Sequence, residues 1–325
     1  MILCCGEALI DMVPAPIPGK GEGFYPFPGG SPYNTAIAIG RLGVPVQFWG
    51  KLSRDFFGEM LFKGLAENHV GTGLISRSPR NTTLAFVSLA ENREPQYIFY
   101  TADTADRSLS KEDIPRSLPD HTSAVLFGSI AMTMEPIAST IESFILQKGG
   151  PGISDPVISF DPNIRAFMIA DKTAYIRRFE NLVAASTVVK ISRADLDFIY
   201  PGMETDILLR KILDMGPRLA VLTLGPEGAL ALLRREGGGI LRVSAPAVDL
   251  PVVDTIGAGD TFHGALLARL EMQKKLSPAA IAILTEAELY DALSFANRAA
   301  SLVCSVRGAA PPSLAEVEAL VPCKH

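Results

Sequence analysis

Cysteine is scarce in this chain: four among 325 residues, at positions 4, 5, 304 and 323, with no C-x-x-C pair. That excludes a disulfide scaffold and leads to an expectation of reduced, mostly buried thiols in a cytoplasmic protein. No apolar run approaches the roughly 18 residues a membrane-spanning helix needs, and the stretch 125–130 is already broken by Gly128 and Ser129. The first eleven residues carry Glu7 and Asp11 but no basic residue, so the positive charge of an export signal is missing. Basic runs are missing as well. Thirty Lys and Arg stand against 35 Asp and Glu, a net charge of -5, and nothing is placed to neutralise a phosphate backbone. Nucleic acid and membrane are therefore not expected partners. Neither G-x-x-x-x-G-K-S/T nor a G-x-G-x-x-G after an expected strand occurs, which removes P-loop and ordinary dinucleotide chemistry.

What is present is core-forming material: 48% of the residues are hydrophobic and 20% charged. No repeat, low-complexity tract or linker divides the chain, so one domain over residues 1–325 is expected. Short β-rich apolar runs at 124–127, 157–160, 188–191 and 219–224 alternate with helical patterns at 133–147, 172–185 and 205–215. Strands apolar on both sides and separated by helices imply an α/β fold with a mainly parallel sheet covered on both faces. Two segments break the rhythm. Residues 82–89 and 96–100 read as an antiparallel hairpin with a charged tip at 91–94, and the Pro- and Gly-rich stretch 9–27 reads as irregular. Together, 9–27 and 82–101 are expected to form a small β lid over one edge of the body.

Two segments carry chemistry. Val253-Asp254-Thr255-Ile256-Gly257-Ala258-Gly259-Asp260 runs into helical spacing at Phe262, Ala265, Leu266, Arg269 and Leu270. A glycine turn opening a helix lets backbone N–H groups converge where the helix dipole is positive, so an anion can sit there. Asp260 beside it reads either as a helix cap or as a base that takes a proton from an attacking hydroxyl. The second segment, Pro28-Gly29-Gly30-Ser31-Pro32-Tyr33-Asn34, places a glycine pair before a helix closing at Gly43. The Asn34 amide, in the first turn, reads either as a local cap or as a group for a polyol hydroxyl.

Taken together, these segments resemble the two signature regions of the ribokinase (PfkB) family of sugar kinases. The resemblance extends over Gly6-Glu7, the lid hairpin, Asp161-Pro162-Asn163-Ile164-Arg165, Thr223-Leu224-Gly225-Pro226-Glu227-Gly228 and Phe295-Ala296-Asn297-Arg298. It implies a three-layer ribokinase-like fold and ATP-dependent phosphorylation of a sugar hydroxymethyl group. Asp260 would be the base, and the N–H groups of Gly257, Ala258 and Gly259 would stabilise the transferring phosphoryl. Thr223, Gly225, Gly228 and Asn297 match positions near ATP, and Lys190 matches a lysine that reaches nucleotide phosphates in some fructokinase-like members. Where the family has Asn-x-x-Glu, this chain has Ser192-Arg193-Ala194-Asp195. Asp195 thus reads either as a helix cap or as a carboxylate holding Mg²⁺ through water. Asp254 and Ile256, with the loop 305–309, match the family's monovalent-cation carbonyls, so K⁺ is a second expected ion.

Asp11, Gly30, Asn34 and Arg165 match sugar-contacting positions. Arg165 resembles fructokinases and 2-keto-3-deoxygluconate kinases rather than ribokinases or adenosine kinases. The acid-sugar kinases carry an arginine after the tyrosine of the second lid strand. Here Thr101 follows Tyr100, which favours the neutral sugar, fructose, over the acid sugar. A non-catalytic sugar- or nucleotide-sensing relative is the reading from another class, and an intact Asp260 with its glycine turn argues against it. The lid edge could pair two copies into a homodimer, while its charged tip could equally keep the chain monomeric.

Overall fold

The computed structural model describes residues 1–17, 19, 21–89, 95–149 and 156–320. The chain begins in the interior of a nine-stranded sheet. From β1 (Ile2–Cys5) it passes into a hairpin of β2 (Leu9–Ile17) and β3 (Gly21–Gly29). It returns through α1 (Ser31–Arg41), β4 (Val46–Ser53), α2 (Phe56–Glu67) and β5 (Val70–Ser78). A second hairpin, β6 (Leu84–Leu89) and β7 (Pro95–Tyr100), precedes the strand–helix alternation β8 (Ala124–Gly128), α3 (Ile137–Lys148), β9 (Val157–Asp161), α4 (Lys172–Ala185) and β10 (Val188–Ser192). Then come α5 (Arg193–Ile199), α6 (Thr205–Asp214), β11 (Leu219–Thr223), β12 (Ala229–Arg234) and β13 (Ile240–Ala245), and finally α7 (Ala258–Met272), α8 (Pro278–Ala282), α9 (Glu286–Cys304) and α10 (Leu314–Ala319).

The large sheet runs β13-β12-β11-β10-β9-β8-β1-β4-β5. Pairing is parallel from β11 to β5 and antiparallel only at β11–β12 and β12–β13. Alternate strand residues enter opposite layers, because successive side chains on a strand point to opposite faces. Ile2 and Cys4 join one apolar cluster with α1, α7 and α9, while Leu3 and Cys5 join another with α3, α4 and α6. The expected three-layer α/β fold is present, and its parallel strands are buried on both sides. The chain leaves β1 towards β4 on one side and later towards β8 on the other. A crevice therefore opens at the carboxyl ends of these strands, where ligands bind in such sheets.

The stretch 9–27 is not irregular: β2 and β3 pair antiparallel in continuous register from Leu9↔Gly29 to Ile17↔Gly21. Its prolines are tolerated by position. Pro26 and Pro28 lie on β3, an edge strand, and Pro14 and Pro16 lie beyond the Ile10–Met12 segment that pairs with β6. With β6 and β7, which form the expected antiparallel hairpin, they make a four-stranded sheet β3-β2-β6-β7. The proposed tip at 91–94 lies outside the described residues. The helix expected from 133 begins at Ile137, after a 3₁₀ turn over Ser129–Thr133 and the Pro136 that blocks an earlier start.

Candidate active site

The N-terminus of α7 faces the crevice. Gly257 adopts φ +76°, and a Cβ there would lie 2.8 Å from that of Ala309, so both conformation and space demand glycine. Gly257 is the helix N-cap and makes no side-chain cap bond, leaving Asp260 in the first turn to do something other than cap. Its buried carboxylate is ringed by three side-chain donors, two from α1 and one from the loop after β9. Ser31 Oγ donates to Oδ1 at 2.6 Å, Asn163 Nδ2 to Oδ1 at 3.2 Å and Asn34 Nδ2 to Oδ2 at 2.9 Å. The cap reading of Asp260 is thereby set aside. Asn34 sits in the first turn of α1 as expected, with one amide N–H committed to Asp260. Of the glycine-turn N–H groups, that of Ala258 donates to Thr255 O at 3.3 Å.

Around Asp260 is a cavity of about 280 Å³ whose walls include Glu7, Asp11, Gly30, Ser31, Asn34, Phe99, Asn163 and Arg165. Gly30 has φ +101°, and a Cβ on it would meet Glu7 O at 2.8 Å. Glu7 ties two walls together by accepting from Ser31 N at 3.2 Å and Ala131 N at 3.1 Å. Burial lifts its carboxyl to about 7. Asp11 is also lifted to about 7, by desolvation at the cavity wall and the nearby Asp260 and Asp254 charges, against the pull of the Arg165 guanidinium. Three carboxylic residues and one arginine line this space, which suits hydroxyl groups better than a second anion. The apolar face of Phe99 adds one wall from the small sheet.

A second, larger cavity of about 630 Å³ lies on the other side of the glycine turn and shares Asn163, Thr255 and Gly259 with the first. Thr223, Gly225, Gly228, Asn297, Lys190 and Asp195 all line it, as does the apolar stretch at Val248, Leu250 and Val252. Gly225 and Gly228 have φ +61° and +94° and bracket the 3₁₀ turn after β11. Asn297 spends its amide N–H groups on Ala245 O and Pro246 O, at 2.8 and 3.0 Å, holding the loop after β13. Lys190 is not the exposed surface lysine that was its alternative reading. It is buried, with Nζ 2.8 Å from Asp161 Oδ2 and 3.0 Å from where a Cβ on Gly259 would stand. Burial alone would lower its affinity for a proton, but the Asp161 carboxylate more than offsets this, so Lys190 stays charged beneath the helix terminus.

Asp195 forms a capping box with Ser192, accepting from Ser192 N and Oγ at 3.1 and 2.6 Å, and its Oδ1 takes Ile164 N at 2.7 Å. The cap expected as its alternative role is therefore formed, and the carboxylate still faces the larger cavity. Among the described residues no group of three or more His, Cys, Asp and Glu is placed to hold a metal. Asp254 accepts from Ile256 N at 3.0 Å and from Gly308 N at 2.9 Å, joining the two loops expected to supply cation carbonyls. Sequence reasoning missed Ser31, Asn163 and Glu7 as neighbours of the base. The only local signal was their place inside the quoted segments, Ser31 in Pro28–Asn34, Asn163 in Asp161–Arg165 and Glu7 in the Gly6-Glu7 pair. It also missed His263, buried one turn beyond Asp260 and 2.7 Å from Ser159 Oγ.

Comparison with known proteins bears on this arrangement. The sequence pattern of the pfkB family carbohydrate kinase matches residues 1–316. A fructokinase of Rhizobium leguminosarum bv. trifolii is 39% identical over 289 residues, covering 89% of this chain and 85% of that protein. Among solved structures, the fructokinase with bound ATP from Xylella fastidiosa is similar at a TM-score of 0.86, with 28% identity over 98% of this chain and 97% of that one. A double mutant of the Vibrio cholerae O395 fructokinase, in a form with fructose, ADP and potassium ion bound, gives a TM-score of 0.81, 28% identity and coverage of 98% and 97%. No helix among the described residues is long and apolar enough to cross a membrane.

Proposed function

Because the chain belongs to the pfkB family of carbohydrate kinases, we propose that it transfers the γ-phosphoryl group of ATP to the hydroxymethyl group of fructose, giving fructose 6-phosphate. One observation carries this reading. Two cavities, a polar one of about 280 Å³ and a larger one of about 630 Å³ with apolar walls, meet at Gly259 and Asn163, with Asp260 beside the junction. The smaller would hold the sugar and the larger the nucleotide. The relatives named fructokinase, and the solved relatives with ATP or with fructose and ADP, support both assignments.

In this mechanism Asp260 accepts the proton of the sugar hydroxyl while that oxygen bonds to the γ-phosphorus and the bond to the ADP oxygen breaks. The N–H groups of Gly257 and Gly259, the dipole of α7 and the Lys190 ammonium stabilise the charge on the passing phosphoryl. The Ala258 N–H joins them by exchanging its Thr255 partner. Asp11, Gly30 and Asn34 surround the sugar, and Arg165 lines the same cavity from the loop after β9. Thr223, Gly225, Gly228 and Asn297 shape the nucleotide cavity. Mg²⁺, entering with the nucleotide, would neutralise phosphate charge. Asp195 lines that cavity, and the one in-plane lone pair left on its Oδ1 would hold a water of the ion. The carbonyls of Asp254 and Ile256, held against the 305–309 loop by the bond from Gly308 N to Asp254, would take K⁺.

The acidic lining of the sugar cavity, with Arg165 its only cationic side chain among the described residues, favours a neutral sugar over 2-keto-3-deoxygluconate. The reading extends to one domain over 1–325, a small sheet acting as lid, and cytoplasmic residence. The outer face of the small sheet exposes Phe24, Ile98 and Tyr100, and a second copy packed there would make a homodimer. An ATP-consumption assay over fructose, 2-keto-3-deoxygluconate, ribose and a nucleoside tests the function. Fastest turnover with fructose is expected. No ATP consumption with any of the panel, alongside measurable sugar binding, would favour the sensor reading instead.

A further inference from the structure

The two oxygens of Asp260 are not equivalent. A carboxylate oxygen offers two in-plane lone pairs. Those of Oδ1 are both taken, by Ser31 Oγ at 2.6 Å and Asn163 Nδ2 at 3.2 Å, whereas among the described residues Oδ2 receives only Asn34 Nδ2 at 2.9 Å. The amide of Asn163 cannot turn over freely. Its Oδ1 accepts from Arg165 Nη1 at 2.7 Å, so a flip would set an NH₂ group against the guanidinium and an oxygen against the Asp260 carboxylate. The same Nη1 contacts the carbonyls of Asn163 and Ile164, each at 3.3 Å, which clamps a loop whose Asn163 stands at φ +37°. This part of the guanidinium is thus engaged with its own loop rather than turned to the cavity.

We propose that Arg165 is a positioning residue for the base, acting through Asn163, and that Oδ2 of Asp260 is the atom that receives the substrate proton. This rests on the kinase reading with Asp260 as base. Arg165 pins the amide oxygen of Asn163, and Asn163 in turn holds Oδ1, so the open lone pair of Oδ2 is directed at the sugar hydroxyl. The hydroxyl proton moves to Oδ2, the hydroxyl oxygen bonds to the γ-phosphorus, and the electron pair of the breaking bond leaves with ADP. Arg165 itself neither gains nor loses a proton. Its influence is on the geometry of the reacting pair, where a small displacement costs far more in kcat than in affinity.

The test is a double-mutant cycle on the full chain with fructose and saturating ATP, using Asn163→Ala, Arg165→Ala and the combination, with Arg165→Lys and Asp260→Asn alongside. Each single variant is expected to lower kcat at least tenfold with the fructose KM changed less than threefold. The double variant should be no more than about threefold worse than the poorer single, because both remove one relay. Arg165→Lys, which keeps a donor for the amide oxygen, should recover most of the loss. An Arg165→Ala variant that raises the fructose KM more than tenfold with kcat retained, and whose effect multiplies with that of Asn163→Ala, overturns the proposal. Thermal unfolding and ATP titration check that each variant is folded. If Arg165→Ala is not, Arg165→Gln against Arg165→Lys makes the same comparison. Normal turnover in Asp260→Asn would sink the base reading itself. A dead Asp260→Asn with an additive cycle would sink only the relay.

Discussion

Replacing Asp260 with Asn removes one negative charge and leaves the shape almost unchanged, so it isolates the role of the base. The surroundings set the structural cost. An amide keeps one accepting oxygen. Placed at the Oδ1 position, it still satisfies Ser31 Oγ and Asn163 Nδ2, 2.6 and 3.2 Å away. Its NH₂ then faces Asn34, whose own amide can turn to present oxygen. The loss is about one charge-assisted hydrogen bond, ~1.5–3 kcal/mol, partly offset because a buried charge disappears. Folding should therefore survive with a modest drop in Tm. Turnover should not. General-base assistance is worth about 10² to 10⁴ in rate and contributes little to ground-state affinity. We expect kcat to fall at least ~10² while fructose KM and ATP affinity stay within a few-fold. Coupled measurement of ADP release, with calorimetric titration of ATP, reads both quantities. A variant turning over within tenfold of the parent would remove Asp260 from the proton transfer and refute the reasoning.

Three other expectations follow from named contacts. Activity should rise when K⁺ replaces a large organic cation at constant ionic strength, if the Asp254 and Ile256 carbonyls form a cation site; equal rates in the two media would dispose of it. Fructose should exceed 2-keto-3-deoxygluconate by about 10² in kcat/KM, since a buried carboxylate beside Glu7, Asp11 and Asp260 carries a desolvation penalty of several kcal/mol. Thr101, which directly follows the end of β7 at Tyr100, should narrow that ratio when changed to Arg; equal use of the two sugars by the parent would contradict this reading of the cavity. Glu7 holds its proton to about pH 7 when folded, whereas an unfolded glutamate releases it near ~4.3. Between those values the unfolded chain binds fewer protons, so stability falls as pH rises, and Glu7→Gln should flatten the decline of Tm across that window. A Tm profile with unchanged slope in the variant would show that Glu7 does not titrate there.

The strand–helix alternation was legible because burial on both faces leaves a local mark: runs such as Leu219–Thr223 are apolar at nearly every position, and Lys172–Ala185 carries helical periodicity bounded by its Asp171 cap. The glycine turn before Asp260 was legible for the same reason, since φ +76° at Gly257 needs glycine whatever lies around it. The segment 9–27 was misread because proline counts against a strand in the sequence. Only the sheet order shows that its prolines fall on an edge or beyond a neighbour's reach.

Beyond the local Ser192–Asp195 cap, the distant partners of the charged groups were not legible. Ser31 and Asp260 are 229 positions apart, Asn163 and Asp260 97, and Lys190 and Asp161 29. No window of sequence contains such a pair, and the same side chains would serve as well on a solvated surface. Periodicity, turn chemistry and the residue types available at each motif act over a few residues, and these could be read from the amino-acid order alone. Tertiary structure decided which carboxylate is ringed by donors, which lysine is buried beneath the helix terminus, and that the Asp195 cap also takes Ile164 N from the loop after β9. Those outcomes depend on where the topology brings distant strand ends together, and on the desolvation that follows when they meet.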